Sequence, residues 1–273
     1  MLKDITLGQY FPGDTVVHRL DPRTKLLLVI VYIVALFLCK WFVSYAVALA
    51  FLVTAIALSR IRLKALFKGL KPLIIIIIFT ALLNLFYSEG RVLVEFWIFK
   101  ITYEGIKNAF FLVLRIMMLV MGTFLLTYTT SPIALTDGLE SLLSPLKKIR
   151  FPVHELAMMM SIALRFIPTL IEETDKIISA QKARGADFET GNIFRRAKAL
   201  IPILVPLFVS AFRRAGELAM AMEARCYHGG ENRTRLRKLE ITKNDYLAYG
   251  AVLALILLIV LEGVVVSHIG GIF

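Results

Sequence analysis

Apolar runs separated by short basic segments dominate the chain from Met1 to Thr130, and each run has a length that bears on whether it crosses a bilayer. Residues 1–25 are polar and turn-rich, with Phe11-Pro12-Gly13-Asp14 in the middle. Asp21-Pro22-Arg23-Thr24 has the chemistry of a helix start. Asp21 caps free backbone N–H groups, and Pro22 suits the first helical position, where no N–H partner is needed. From Leu26 to Leu58 the only charge is Lys40. A span takes about 20 residues, so this stretch is too long for one and short for two, and a break near Lys40-Trp41 predicts a tight helical hairpin. A third span is expected from about Pro72 to Tyr87, with Ile74 through Ile78 at its heart. Residues 88–104 contain the β-prone, aromatic run Phe96 to Tyr103, which suits a short external hairpin at the interface. A fourth span is expected from about Gly105 to Tyr128. Arg115 lies inside it, and a charge at that depth needs a buried partner, a protein-facing position or a route to the interface.

Residues 131–244 change character. They carry 18 Lys+Arg and 12 Asp+Glu, and their apolar residues fall at helical spacing rather than in long runs. Pro132, Pro145, Pro152, Pro168, Pro202 and Pro206 punctuate the segment. The tracts 156–170 and 199–212 are apolar enough to lie against a bilayer or a membrane partner. A last span is expected from Tyr246 to about Leu261. The fold class is therefore an all-α membrane protein of about five transmembrane helices with a cytosolic, partly membrane-apposed bundle of long helices. The expected division is an N-terminal tail and four spans in residues 1–130, a cytosolic helical domain in 131–244, and a final span with a short external tail in 245–273.

Composition agrees with a polytopic membrane protein: 58% of the 273 residues are hydrophobic and the mean hydropathy is +0.76. The net charge of +12 is distributed as cytoplasmic loops facing anionic lipid require, and no aromatic-basic face for nucleic acid is present. Residues 1–25 carry Lys3, Arg19, Arg23 and Lys25, and the loop 59–71 carries Arg60, Arg62, Lys64, Lys68 and Lys71 with no acid. Both flanks of the first hairpin thus read as cytoplasmic, as does the N-terminus. The first apolar run follows a polar stretch without a small-residue cleavage site, so it is expected to remain as an anchor. Cys39 and Cys226 form neither a disulfide framework nor a zinc spacing.

A short internal echo occurs in the basic region. Ala180-Gln181-Lys182-Ala183-Arg184 is followed by Gly185, and Ala221-Met222-Glu223-Ala224-Arg225 by Cys226 and then Gly229-Gly230. Each pattern is expected to close a helix, with Gly185 and Gly229-Gly230 able to take the left-handed conformation that follows one. Two accounts stay open. Either these are ordinary helix ends favoured by the helix dipole, or two matched tips each offer a guanidinium for planar, bidentate pairing with a partner present in two copies. Met158, Met159, Met160, Met220 and Met222 on the same helices serve either as helix-packing residues or as an exchangeable interface, since unbranched Met repacks readily.

No catalytic or metal-binding pattern is present. There is no G-x-x-x-x-G-K-[ST] phosphate loop, no G-x-S-x-G elbow and no H-E-x-x-H pair, and His18, His154, His228 and His268 are scattered. His18 and His228 read as surface or cap residues, and Glu172, Glu173 and Asp175 read as a solvated helix face. The spans lack the chain of carboxylates that proton-coupled carriers use. No catalytic residue, metal site or cofactor is expected.

The chain resembles the T component of energy-coupling factor transporters, the EcfT/CbiQ family. Gly8-Gln9-Tyr10-Phe11-Pro12-Gly13-Asp14 and His18-Arg19-Leu20-Asp21-Pro22-Arg23-Thr24-Lys25 look like the family's opening. Ala183-Arg184-Gly185 and Ala224-Arg225-Cys226 look like its two Arg-centred motifs, the second with Cys226 where Gly is commoner. The resemblance implies a multi-pass subunit of a bacterial or archaeal cell membrane, placed between two ABC ATPase subunits and a small vitamin-binding membrane protein, the S component. It implies that the long helices of 131–244 are coupling helices, that Arg184 and Arg225 each dock into one ATPase, and that the Met-rich faces meet the S component. It implies no catalysis by this chain, and its opening looks more like the shared multi-vitamin type than the dedicated cobalt type. A self-contained secondary transporter would need a mid-membrane site with broken, polar-lined helices. A membrane-bound enzyme would need a convergent catalytic cluster near the interface. Neither pattern is seen.

Overall fold

A computed structural model of the chain describes residues 10–87, 92–96, 99–186, 188, 192–229 and 239–270. Gly8-Gln9 of the opening motif, residues 88–91, Trp97-Ile98 and Gly230 lie outside the described residues. The helices are α1 (Val16–Arg19), α2 (Pro22–Leu38), α3 (Phe42–Ser59), α4 (Leu63–Leu70), α5 (Ile74–Tyr87), α6 (Tyr103–Thr129), α7 (Pro132–Leu143), α8 (Val153–Ala183), α9 (Ile193–Ala224) and α10 (Lys243–Gly270). Strands β1 (Val92–Phe96) and β2 (Phe99–Thr102) pair antiparallel between α5 and α6, with Phe96 opposite Phe99. The chain is an all-α membrane protein with this one small hairpin among its described residues. Contacts divide it into two units, one of residues 8–138 with 239–273 and one centred on residues 139–238.

In the first unit, Asp21 starts α2 as expected: its carboxylate accepts from the Arg23 N–H at 2.8 Å, with Pro22 at the first helical position. The break near Lys40-Trp41 is present, and α2 and α3 form two helices rather than one. Their core positions are Tyr32, Ala35 and Leu36 on α2 with Tyr45, Ala48, Leu52 and Ile56 on α3, joined by Leu66, Met118, Leu255 and Ile259 from α4, α6 and α10. Ala35 and Ala48 are buried, and small residues of this kind let membrane helices approach closely. Gly122 of α6 serves the same end, since a Cβ there would stand 2.8 Å from the Tyr32 ring. Ile75, Phe37, Phe79 and Leu247 are among many large apolar side chains left exposed, as the lipid-facing surface of a membrane protein requires.

Two polar clusters hold this unit at its opposite faces. On one face Asp245 of α10 accepts from the backbone N–H of Asp21 at 2.9 Å, and from the N–H and hydroxyl of Thr242, each at 2.7 Å. Asp245 thus makes the acidic half of a capping box with Thr242 at the start of α10, and the same carboxylate reaches the start of α2. The Lys25 ammonium donates to the carbonyls of His18 (3.0 Å) and Thr129 (2.9 Å), and the Phe11 N–H donates to the Tyr128 carbonyl (3.0 Å). The starts of α2 and α10 and the end of α6 therefore share one face. On the other, Ser44 donates to Glu262. Arg115 donates to the Tyr45 hydroxyl at 2.9 Å and to the Cys39 carbonyl at 3.0 Å, between the rings of Phe37 and Tyr45. Arg115 is thus a structural partner that fastens α6 to the α2–α3 turn. Replacing it with Met deprives two acceptors of their charged donor and is expected to cost about 2–3 kcal/mol. The melting midpoint of the detergent-solubilised chain reads this loss, and an unchanged midpoint would contradict it.

Helix is present from Leu63, ahead of the third span expected from about Pro72, and one 3₁₀ turn at Lys71–Leu73 separates α4 from α5, which ends at Tyr87 as expected. One sequence expectation needs correcting. Pro168, Pro202 and Pro206 do not punctuate the chain but lie inside α8 and α9. Proline removes one helical hydrogen bond and commonly kinks a helix, and an apolar helix tolerates that where neighbours satisfy the freed carbonyl. Among the described residues six helical segments are long and apolar enough to cross a membrane. They include α8 and most of α9, the helices that carry the apolar tracts 156–170 and 199–212, while α2 has 17 residues.

Candidate coupling site

The second unit is built on α8 and α9, and both helices end as the two Arg-centred patterns predict. Helix α8 closes at Ala183, Arg184 is its cap residue, and Gly185 follows with φ +85°. The Gly185 N–H donates to Lys182 O and the Ala186 N–H to Gln181 O, both at 3.0 Å. Helix α9 closes at Ala224. The Cys226 N–H then donates to Glu223 O at 2.9 Å and the Tyr227 N–H to Met222 O at 3.1 Å. These are the paired bonds of a Schellman end, made twice at matching positions of the two patterns. Ala183, Arg184, Gly185, Ala224, Arg225 and Cys226 are all exposed. Each tip therefore presents one arginine beside alanine methyls, on a backbone fixed by two hydrogen bonds.

The left-handed position of the second tip is held by Cys226, with φ +57°. The sequence points instead to Gly229-Gly230. Gly229 does have φ +99°, but it lies beyond the position that closes the helix. A non-glycine residue in this conformation carries about 1–2 kcal/mol of steric cost, against which glycine adds roughly 0.5–1 kcal/mol of chain entropy in the unfolded state. Cys226→Gly is therefore expected to raise the melting midpoint slightly and to leave the tip geometry intact. A lower midpoint would show that the thiol makes a compensating contact.

Helices α8 and α9 pack on each other, and Arg214 donates to the Glu173 carboxylate across the contact at 3.1 Å. Glu173 precedes Arg184 by eleven positions and Arg214 precedes Arg225 by eleven. The helices thus meet at equivalent points of the two patterns, each about 16 Å along the helix from its own arginine. From the sequence Glu173 reads as part of a solvated face. The signal that finds its partner is that Glu173 and Arg214 are offset along the chain just as the two tip arginines are, and carry opposite charge. Buried Glu140 and half-buried His154 also meet, at 3.0 Å, linking the end of α7 to the first turn of α8. The five methionines do not form a matched set. Met159 and Met220 are exposed and the other three half-buried. Met158, Met159 and Met160 lie near the start of α8, well before Glu173, whereas Met220 and Met222 lie near the end of α9, after Arg214. His18 holds the N-terminal turn together, its ring bonded to Thr15 and to the Phe11 carbonyl, and His228 is exposed.

Comparison with known proteins bears on the whole chain. Residues 13–236 match the family model CbiQ, described as cobalt transport protein. The chain is 58% identical over 248 residues to the energy-coupling factor transporter transmembrane protein EcfT of Thermosediminibacter oceani, a match covering 91% of this chain and 94% of that protein. It is 53% identical over 264 residues to the protein of the same name from Clostridium kluyveri (96% and 98% covered). Against the one from Bacillus subtilis it is 51% identical over 246 residues (90% and 93% covered). The chain therefore belongs to the EcfT/CbiQ family, the transmembrane component of energy-coupling factor transporters.

Proposed function

We propose that this chain is the mechanical adaptor of a vitamin importer, passing ATP-driven motion from two ABC ATPase subunits to a membrane S component that binds the vitamin. The observation that carries the reading is the pair of matched helix tips. A partner that comes in two copies needs two equivalent handles, and Arg184 and Arg225 stand on equivalent caps, equally far from the Glu173–Arg214 contact. Arginine suits the task because its planar fork pairs bidentately with a carboxylate and keeps its charge at any cellular pH. The helical segments between that contact and each tip convert a movement of either ATPase into a change in how α8 packs on α9.

In this reading residues 139–238 hold the coupling helices, the remaining helices anchor them in the cell membrane, and the N-terminus is cytoplasmic. The basic flanks of the first hairpin support that orientation, together with the common face shared by the starts of α2 and α10 and the end of α6. Exposed Met159 and Met220 are the first candidates for contact with the S component. The chain itself performs no catalysis, since ATP is bound and hydrolysed by its partners. The relatives' shared name supports the energy-coupling assignment, and the opening motif favours the multi-vitamin type over a cobalt-specific one.

Affinity purification of the tagged chain from its native membrane in mild detergent tests the proposal. Two ABC ATPase subunits and one small apolar membrane protein are expected to co-purify, and the small protein's ligand then identifies the vitamin. Recovery of the chain alone, even after gentle crosslinking, would sink the reading.

A further inference from the structure

The segment joining α3 to α5 carries Arg60, Arg62, Lys64, Lys68 and Lys71 and no acid. Helix α4 within it has two distinct faces. Leu66 and Leu70 are buried on the inner one, and Gly69 lies so close to α6 that a Cβ would come within 2.5 Å of the Phe124 ring. The Tyr128 hydroxyl also donates to the Ala65 carbonyl at 3.4 Å. Helix α4 is thereby fixed against α6, and its outer face is fixed with it. Lys64, Phe67, Lys68 and Lys71 follow the spacing of a single helical face, and all four are exposed. Between this face and α5 opens a groove of about 600 Å³. Lys64, Lys68 and Lys71 line one part of it, and Ile74, Ile78 and Met117 continue it along the span. No carboxylate lines the groove, and among the described residues none of the three lysines is in an ion pair.

We propose that this groove is a binding site for an anionic phospholipid. The headgroup phosphate rests on Lys64, Lys68 and Lys71, and one acyl chain runs along Ile74, Ile78 and Met117. Two properties select this ligand. The charged part of the groove is cationic without a compensating acid, so it favours a net negative headgroup and disfavours a zwitterionic one, whose ammonium would meet three others. The apolar part is the first turns of a membrane-crossing segment, so the lysines stand at headgroup depth and acyl chain is the surrounding solvent. A soluble phosphate would engage only the cationic end. The inference rests on α5 crossing the membrane and is independent of how the helix tips act.

The test is native mass spectrometry of the full chain purified in mild detergent, titrated with phosphatidylglycerol or with phosphatidylcholine of the same acyl chains. Preferential retention of phosphatidylglycerol is expected. A basic residue near a membrane surface contributes roughly a fivefold factor, so the triple change Lys64→Gln, Lys68→Gln, Lys71→Gln is expected to weaken retention on the order of 100-fold. Met117→Trp, which fills the apolar part and leaves the lysines, is expected to weaken it as well. Lys147→Gln with Lys148→Gln, which removes two charges elsewhere, is expected to leave it unchanged. Equal retention of the two lipids overturns the proposal. So does displacement by millimolar inorganic phosphate, which would mark an anion site only, or full retention by Met117→Trp, which would mark surface charge without a seat. If the triple variant fails to insert, Lys68→Gln and Met117→Trp decide the matter by the same readout.

Discussion

Exchanging Arg184 and Arg225 together for glutamate is expected to abolish uptake by the assembled transporter while leaving the chain inserted and helical. Both arginines are exposed and stand at helix ends, so each supports its own helix by no more than a favourable charge on the helix dipole. What each contributes under the coupling proposal is a charge-assisted, bidentate contact with a carboxylate on an ATPase. Reversing the charge sets two carboxylates against each other, and losing one such desolvated pair typically costs about 2–5 kcal/mol, or roughly 30-fold and more in affinity. A carboxylate at the negative end of a helix also costs that helix ~0.3–1 kcal/mol, too little to unfold it. Single changes are expected to reduce ATPase co-purification and uptake, and the double change to eliminate both. Arg184→Lys, which keeps the charge and loses the fork, should fall between. Uptake into proteoliposomes and recovery of ATPase from the same preparation provide the readouts. Normal assembly and transport by the double variant would return the two patterns to the status of ordinary helix ends.

Asp245→Ala is expected to be strongly destabilising to the unit formed by residues 8–138 and 239–273. The residue is fully buried, and its carboxylate accepts three hydrogen bonds that serve the first turns of two helices. Alanine leaves the buried N–H of Asp21 and the part-buried N–H of Thr242 without that acceptor. A donor so stranded costs about 1–3 kcal/mol, and the sum expected is roughly 3–4 kcal/mol, large against the marginal stability of most folds. Asp245→Asn keeps one oxygen but turns an amide toward a donor, so it should lie between alanine and the native residue. Thermal unfolding of the solubilised chain measures the ranking. A midpoint for Asp245→Ala equal to that of the unaltered protein would show that Asp21 and Thr242 find other acceptors.

Signals confined to a few neighbouring residues are legible in the chain itself. Asp21-Pro22 announces the start of α2, the balance of Lys and Arg around residues 26–58 requires two helices there, and both arginine patterns close helices at Ala183 and Ala224. The hairpin expected within residues 88–104 emerges as β1 and β2, with β2 inside the β-prone run Phe96 to Tyr103 and β1 almost wholly before it. What escapes depends on partners remote in the chain. Asp245 meets Asp21 from the far end of the sequence, and no local pattern encodes that pairing, although Thr242 and Asp245 do spell a capping box. Glu173 resembles a solvated acid because its partner lies on another helix. Cys226 defeats propensity, since glycine is the usual occupant of a left-handed cap and two glycines stand nearby. The prolines mislead for a related reason: helix-breaking tendency is measured in water, whereas α8 and α9 carry their prolines through apolar helix.

The clamp between Asp21 and Asp245 has a consequence for how the chain is made. Leu255 and Ile259 of α10 complete the core that Tyr32, Leu36 and Leu52 begin, yet the whole segment from Thr130 to Thr242 separates the end of α6 from the start of α10. At ~5–20 residues per second of synthesis, the early helices wait on the order of 10 s in the membrane for α10. During that interval the α2 start lacks the carboxylate of Asp245, and the flank that α10 will cover stays open to lipid or to other helices. Completion of this core therefore waits on the arrival of α10. A nascent chain stalled before Lys243 is expected to be the species that membrane quality control degrades.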